Sequence, residues 1–183
     1  MKLNNQTTVQ AGASLLEVLV ALLIISVGLL GIAKTQALSL GNTKTASSRS
    51  IAAIQAASMA SAMHANKFYW AGGLAPAIVS ITGSTGGPSA STVSDATLSG
   101  KSTDCLSASC DPSEMAAYDL RFWGSYMAQQ LPAGAGSVQC TTIVDLVNCT
   151  IQVQWTEKYI SLNQSTNGAQ QTATQILTLL VQP

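Results

Sequence analysis

The stretch that decides the fold is Gly12–Ala33, which reads GASLLEVLVALLIISVGLLGIA. From Ala13 to Ala33 there are 21 residues, and Glu17 is the only ionisable residue among them. A helix of that length is about 31 Å long, which matches the hydrocarbon core of a bilayer. A carboxylate inside such a helix is costly and usually serves a function. The stretch therefore predicts a transmembrane helix over residues 13–33, with Glu17 as a candidate functional residue.

The residues from Gly12 to Glu17 resemble the processing site of type IV prepilins. In that family a short polar leader ends in Gly, and a Glu stands at the fifth position of a long apolar helix. The resemblance implies that a prepilin peptidase cleaves after Gly12 and methylates the new amino terminus on Ala13, where family members usually carry Phe. The run LLEVLVALLIISVGLLGIAKTQ, which ends at Gln36, most resembles minor pilins of the PilV type.

The position of Glu17 also predicts a role in docking. Near the start of the helix the carboxylate can reach the membrane interface, but a bundle of helices would remove that escape. The Glu17 carboxylate would then need a proton or a positively charged partner. Cleavage would create such a partner, the α-amine of Ala13 on a neighbouring subunit. At about 4 Å and an effective dielectric of about 20, such a pair attracts by about 4 kcal/mol before desolvation is subtracted. The alternative is a charge that is merely tolerated at the end of an anchor.

The composition favours a subunit that packs against other subunits over a free monomer. The 183 residues contain 8 basic and 8 acidic side chains, and charged residues make up only 9% of the chain, against about 25% in ordinary soluble proteins. An uncharged surface suits subunits that pack against other subunits. The sequence contains no basic patch, so a nucleic-acid partner is not indicated.

The four cysteines predict two disulfides if the chain is exported. Sequence leaves all three connectivities open, but Cys105–Cys110 and Cys140–Cys149 are favoured because each pair is close in sequence and a helix separates them. A zinc site is the alternative. Its usual C-x2-C spacing is absent and no His lies near.

The leader, residues 1–12, contains Lys2 and no acid, which favours a cytoplasmic amino terminus. Lys34, Lys44 and Arg49 follow the apolar run, so charge counting alone is equivocal. The cysteines and the resemblance place the rest of the chain outside. The predicted location is a single-pass inner-membrane protein with a periplasmic head, which later joins the pilus at the cell surface. A conventional signal peptide is the alternative, but its apolar region is shorter, about 7–15 residues.

Beyond the membrane segment the helix is expected to continue through residues 34–66, because no Pro interrupts it. Its total extent, Ser14–Asn66, would be about 80 Å. An apolar stripe at helical spacing is expected to pack on a sheet; its members are Ala52, Ala56, Met59 and Met63, with Ile51 and Ile54 alongside. Residues 67–183 would form the globular head. The predicted class is α+β, and the resemblance implies the type IV pilin fold.

The head contains signals for one helix and three strands. Asp111-Pro112-Ser113-Glu114 predicts a helix start, and that helix would run to about Gln130. Its expected apolar face is Met115, Tyr118, Phe122 and Tyr126, with Trp123 and Met127 adjacent. Period-two alternation predicts strands at Ser137–Ile143, Cys149–Trp155 and Gln170–Val181. Together they would form a three- or four-stranded antiparallel sheet, and residues 80–104 would form a long irregular connection.

No motif for catalysis or cofactor binding is present, so neither an enzyme nor a cofactor is predicted. The resemblance implies a minor pilin that contributes to the initiation or tip complex of a type IV pilus, and so to adhesion, twitching or DNA uptake. Its implied partners are the prepilin peptidase, the major and other minor pilins, the pilus assembly platform and the inner membrane. Two alternatives remain open: a type II secretion pseudopilin, and a membrane-anchored periplasmic binding domain that never assembles.

Overall fold

The computed structural model of the protein describes residues 14–141, 147–159 and 171–183, and it is α+β. As predicted, a long apolar helix comes first and a small antiparallel sheet with a second helix follows. The chain divides into two units, Met1–Lys44 and Thr45–Pro183. The elements are α1 (Leu15–Ala65), α2 (Lys67–Trp70), β1 (Ile78–Thr82), a 3-10 turn (Pro88–Ala90), β2 (Thr92–Val93), α3 (Ala96–Ser99), α4 (Pro112–Gln130), β3 (Ala135–Cys140), β4 (Cys149–Tyr159) and β5 (Gln171–Val181).

Helix α1 begins and ends within one residue of its predicted bounds, because nothing in the sequence breaks it before Asn66. Its part in the second unit buries one face, formed by Ala52, Gln55, Ala56, Met59 and Met63. The prediction that Ile54 belongs to this face is wrong: its side chain is 61% exposed. Ile54 lies two residues from both Ala52 and Ala56, which turns it to the opposite side of a helix with 3.6 residues per turn.

The sheet has five strands in the order β2-β1-β3-β4-β5, and every neighbouring pair is antiparallel. The predicted sheet of three or four strands was therefore too small. Strand β2 lies within residues 80–104, where an irregular connection was predicted, and β1 begins at Ile78 and extends into that range. That segment also contains α3, which starts at an Asp95 cap. Strands this short are fixed by their pairing, β1 with β3 and β2 with β1, rather than by their own sequence.

The three predicted strands are present with shifted ends. Strand β3 begins at Ala135 and ends at Cys140, so it stops before the predicted end at Ile143, which lies outside the described residues. Strand β4 runs beyond Trp155 to Tyr159, and all eleven of its residues pair with β5, from Cys149 opposite Val181 to Tyr159 opposite Gln171. The edge strand β5 is thus held along its whole length by β4.

Helix α4 has the predicted start, with a complete capping box between Asp111 and Glu114. Its buried face differs from the predicted one. The buried residues are Ala116, Ala117, Leu120, Trp123, Gly124, Ser125 and Met127, whereas Tyr126 is 49% exposed. Small residues allow the helix to approach β1 closely: a Cβ on Gly124 would lie 2.6 Å from Cγ1 of Ile81. Tyr118, Phe122 and Tyr126 therefore lie at the border of the core instead of inside it, whereas Trp123 is buried.

One hydrophobic core fills the second unit. It joins the buried sides of α1 and α4 to the inner face of the sheet, where Val79, Val138, Ile151 and Val153 are almost fully buried. The structure pairs Cys105 with Cys110 and Cys140 with Cys149, which are the two pairings that the sequence favours. The second disulfide joins residues directly opposite each other on β3 and β4, so it fastens the two strands at one end.

Candidate functional site

The predicted processing residues, Gly12 and Ala13, lie outside the described residues. Cleavage after Gly12 and methylation of Ala13 therefore stay predictions. Glu17 lies in the described part of the chain, in the first turn of α1. The site can thus be described from Ser14 onwards.

The backbone around Glu17 is that of a regular helix start. The carbonyl of Ser14 accepts hydrogen bonds from the N–H groups of Glu17 at 2.9 Å and Val18 at 3.2 Å. The Ser14 hydroxyl accepts a further hydrogen bond from Leu16 N–H at 3.3 Å. A carboxylate in the first turn is favoured by the partial positive charge of the helix start. Within the described residues the Glu17 side chain has no ion-pair partner, so it remains available for one from outside.

The rest of the first unit is an unusually apolar helix whose side chains are exposed throughout. Every described residue from Ser14 to Lys44 is exposed. An 18-residue window of the helix has a mean hydropathy of 2.7, and none of it is buried. The helix is therefore long and apolar enough to cross a membrane once. Such a surface is unfavourable in water at about 25 cal/mol per Å², so lipid or other apolar helices must cover it.

In the second unit a polar cluster surrounds the start of α4. Lys101 Nζ lies 3.2 Å from Asp111 Oδ2, and the Thr103 hydroxyl donates to Glu114 at 2.8 Å. Hydrogen bonds from Ser113 and from the Glu114 N–H hold the pKa of the Asp111 carboxyl well below its usual range. The pKa of Glu114 is lowered by hydrogen bonds from the Asp111 N–H and from Thr103. These carboxylates fasten Lys101 and Thr103 to the start of the helix, which is a structural use.

Strand β4 contains a buried carboxylate that was not predicted. Glu157 is only 6% exposed. Its Oε1 accepts a hydrogen bond from the Trp155 indole N–H at 3.0 Å and lies 3.9 Å from Arg49 Nε. Within the described residues its Oε2 has no hydrogen-bond partner. Glu157 continues the inward series of Val153 and Trp155, and this two-residue spacing was the signal that could have placed it inside.

Asp119 on α4 is a second acidic residue that the sequence did not single out for a role. It is half-buried between α1 and α4, and desolvation raises its pKa to about 6. Among the described residues no group of three or more His, Cys, Asp or Glu side chains is arranged to hold a metal ion. No protein-family model, no curated protein and no solved structure gives a significant match to this chain.

Proposed function

We propose that this protein is a minor pilin, a subunit that contributes to the assembly of a type IV pilus from the inner membrane. The proposal rests on the character of the first unit. It is an apolar helix, exposed along its whole described length, whose single carboxylate between Ser14 and Ala33 lies in its first turn. A simple anchor needs the apolar surface but has no use for the carboxylate.

A subunit of this kind has to be stable in two environments, first the lipid bilayer and then the pilus. Lipid covers the apolar surface before assembly, and the helices of neighbouring subunits cover it afterwards. Glu17 reaches the interface in the first state. In the second it pairs with the methylated α-amine of Ala13 on a neighbour. Because desolvation offsets much of the attraction, the pair sets axial register and docking more than net stability.

The second unit supports the same proposal. Two disulfides suit a chain that folds in an oxidising compartment, which agrees with a periplasmic head. The packing of the second part of α1 into the core of an antiparallel sheet supports the type IV pilin fold. The proposed partners are the prepilin peptidase, the major and other minor pilins, and the assembly platform. The resulting pilus would serve adhesion, twitching or DNA uptake.

The proposal is tested by following Glu17→Ala into the pilus fraction. In cells that make the pilus, membranes and sheared pili are separated and the protein is quantified in each. We expect Glu17→Ala to stay in the membrane and to fall at least about tenfold in the pili, since about 1.4 kcal/mol of net docking energy corresponds to that factor. Ser26→Ala, in the same helix, is the matched control and should assemble normally. Normal co-assembly of Glu17→Ala would contradict the docking role.

A further inference from the structure

A groove runs along the seam between the second part of α1 and α4. Helix α1 contributes neutral residues, among them Met59 and Ala62, and α4 contributes Asp119, Phe122, Trp123 and Tyr126. The groove has a volume of about 370 Å³. A second cavity of about 310 Å³ adjoins it towards the start of α4 and shares Ala62 and Asp119. Asp119 therefore lies where the two cavities meet.

The charge in this groove is uncompensated. Asp119 forms no hydrogen bond or ion pair with any residue that the structure describes, and its burial raises its pKa to about 6. Asp111 is the only other carboxylate among the lining residues of the two cavities, and it is paired with Lys101. Among the described residues, no Lys, Arg or His lines either cavity. Removing a carboxylate from water without a counter-ion is unfavourable, so the groove favours a positive occupant.

The aromatic residues indicate which kind of cation the groove can bind. Phe122 and Tyr126 lie with ring centroids 6.3 Å apart along the groove. The Trp123 indole N–H already donates to the carbonyl of Gln55 at 2.9 Å, so this indole is held in place. Aromatic faces attract organic cations, because the ring quadrupole is negative at the face. A carboxylate beside such rings matches a cation that also carries methyl or methylene groups.

We propose that this groove binds an organic ammonium group, with the Asp119 carboxylate as its counter-ion and the rings of Phe122 and Tyr126 against its methyl or methylene groups. An anion would be repelled by Asp119, and a neutral ligand would leave that carboxylate uncompensated. A metal ion is disfavoured, because among the described residues no group of three or more His, Cys, Asp or Glu side chains is arranged to hold one. The ammonium can come from a free small molecule or from a lysine side chain of another protein. The proposal does not depend on assembly of the chain into a pilus.

Binding is measured on the full chain in uncharged maltoside micelles by tryptophan fluorescence, since Trp123 lines the groove. The probes are choline, its uncharged isostere 3,3-dimethylbutan-1-ol, and Nα-acetyl-lysine methylamide. We expect saturable binding of at least one ammonium probe, at least about tenfold tighter than the isostere, because the isostere lacks the charge that pairs with Asp119. Tighter binding of choline assigns a free quaternary ammonium, and tighter binding of the lysine analogue assigns a side chain.

Two variants test the named contacts, each after its circular dichroism spectrum is shown to match that of the wild type. Asp119→Asn should lower the affinity for the ammonium probe by at least about tenfold. Asp104→Asn, the same change in a loop that does not line this groove, should leave the affinity unchanged. Tyr126→Leu, at a half-exposed position, should weaken binding about two- to fivefold. Unchanged affinity in Asp119→Asn, or equal binding of the charged and uncharged probes by the wild type, would overturn the proposal.

Discussion

At the scale of single residues, Asp119 makes the stability of the second unit depend on pH. Its pKa is raised by burial from 3.8 to about 6, so the folded state holds this proton more tightly than the unfolded state does. Stability is therefore highest below about pH 4 with respect to this group. It falls as the pH rises through the interval up to about 6, and the full penalty is present above it.

Asp119→Asn removes that penalty. We expect the variant to be more stable than the wild type by about 1 kcal/mol at pH 7.5, a value reduced because the side chain is only half-buried. At pH 4 the two should agree closely. Urea unfolding followed by tryptophan fluorescence measures this, because all three tryptophans lie in the second unit. A variant that is less stable than the wild type at both pH values would contradict the account.

The hydrogen bond from Trp155 to the buried Glu157 is the second residue-scale feature. Trp155→Phe removes it and leaves Arg49, 3.9 Å away, as the nearest positive group in the described part of the chain. Trp70 is a matched control: it is also buried, and its indole N–H has no hydrogen-bond partner among the described residues. Because a hydrogen bond to a charged group contributes about 1.5–3 kcal/mol, Trp155→Phe should cost about 2 kcal/mol more than Trp70→Phe. Equal losses in urea unfolding would show that the bond to Glu157 contributes nothing.

At the scale of elements, the close approach of α4 to β1 depends on Gly124. A methyl group there would meet Ile81 at 2.6 Å, inside a packed core. We expect Gly124→Ala to lower the free energy of unfolding by about 1–3 kcal/mol, despite the better helix propensity of Ala. Gly100→Ala serves as control, since the nearest atom to its Cβ would be 3.7 Å away. Its stability should stay within about 0.5 kcal/mol of the wild type, and thermal unfolding of both variants gives the comparison.

The sequence predicted those elements whose ends are set by local chemistry. The Asp111–Glu114 capping box fixes the start of α4, and an unbroken run of helix formers fixes α1. Strand β1 was missed because it is fixed by pairing with β3, a distant part of the chain, and β2 was missed because it has only two residues and is fixed by pairing with β1. The buried face of α4 was wrongly assigned because Gly124 and two alanines, rather than the large aromatic residues, allow the close approach. The positions of large apolar residues alone do not reveal which side of a helix packs against the sheet.

The residues of the candidate site differ in the same way in whether they could be predicted from the sequence. Glu17 was found because an isolated carboxylate in an apolar run is visible in the sequence. Asp119 and Glu157 were not, because their roles depend on burial by residues far away in the chain. For Glu157 the two-residue spacing from Trp155 indicated an inward position, but the predicted strand ended at Trp155, before Glu157. The contact with Arg49 on α1 is a property of the folded unit alone.

At the scale of the whole molecule, an apolar exposed helix and a weakly charged second unit occur in one chain. Only 9% of the residues are charged, which leaves little charge to keep free subunits apart in solution. Lipid or neighbouring subunits must cover the first unit. Both properties support the proposed function, because a subunit that moves from a membrane into an assembly would need them.

The most direct test of that function is the intact mass of the mature protein, purified from membranes of cells with and without a prepilin peptidase. We expect a chain that has lost Met1–Gly12 and gained one methyl group on Ala13, only where the peptidase is present. Gly12→Ala should keep the full mass in both. A wild-type chain that retains its first twelve residues beside an active peptidase, or one cut beyond Ala33, would contradict the account and leave Glu17 without its proposed partner.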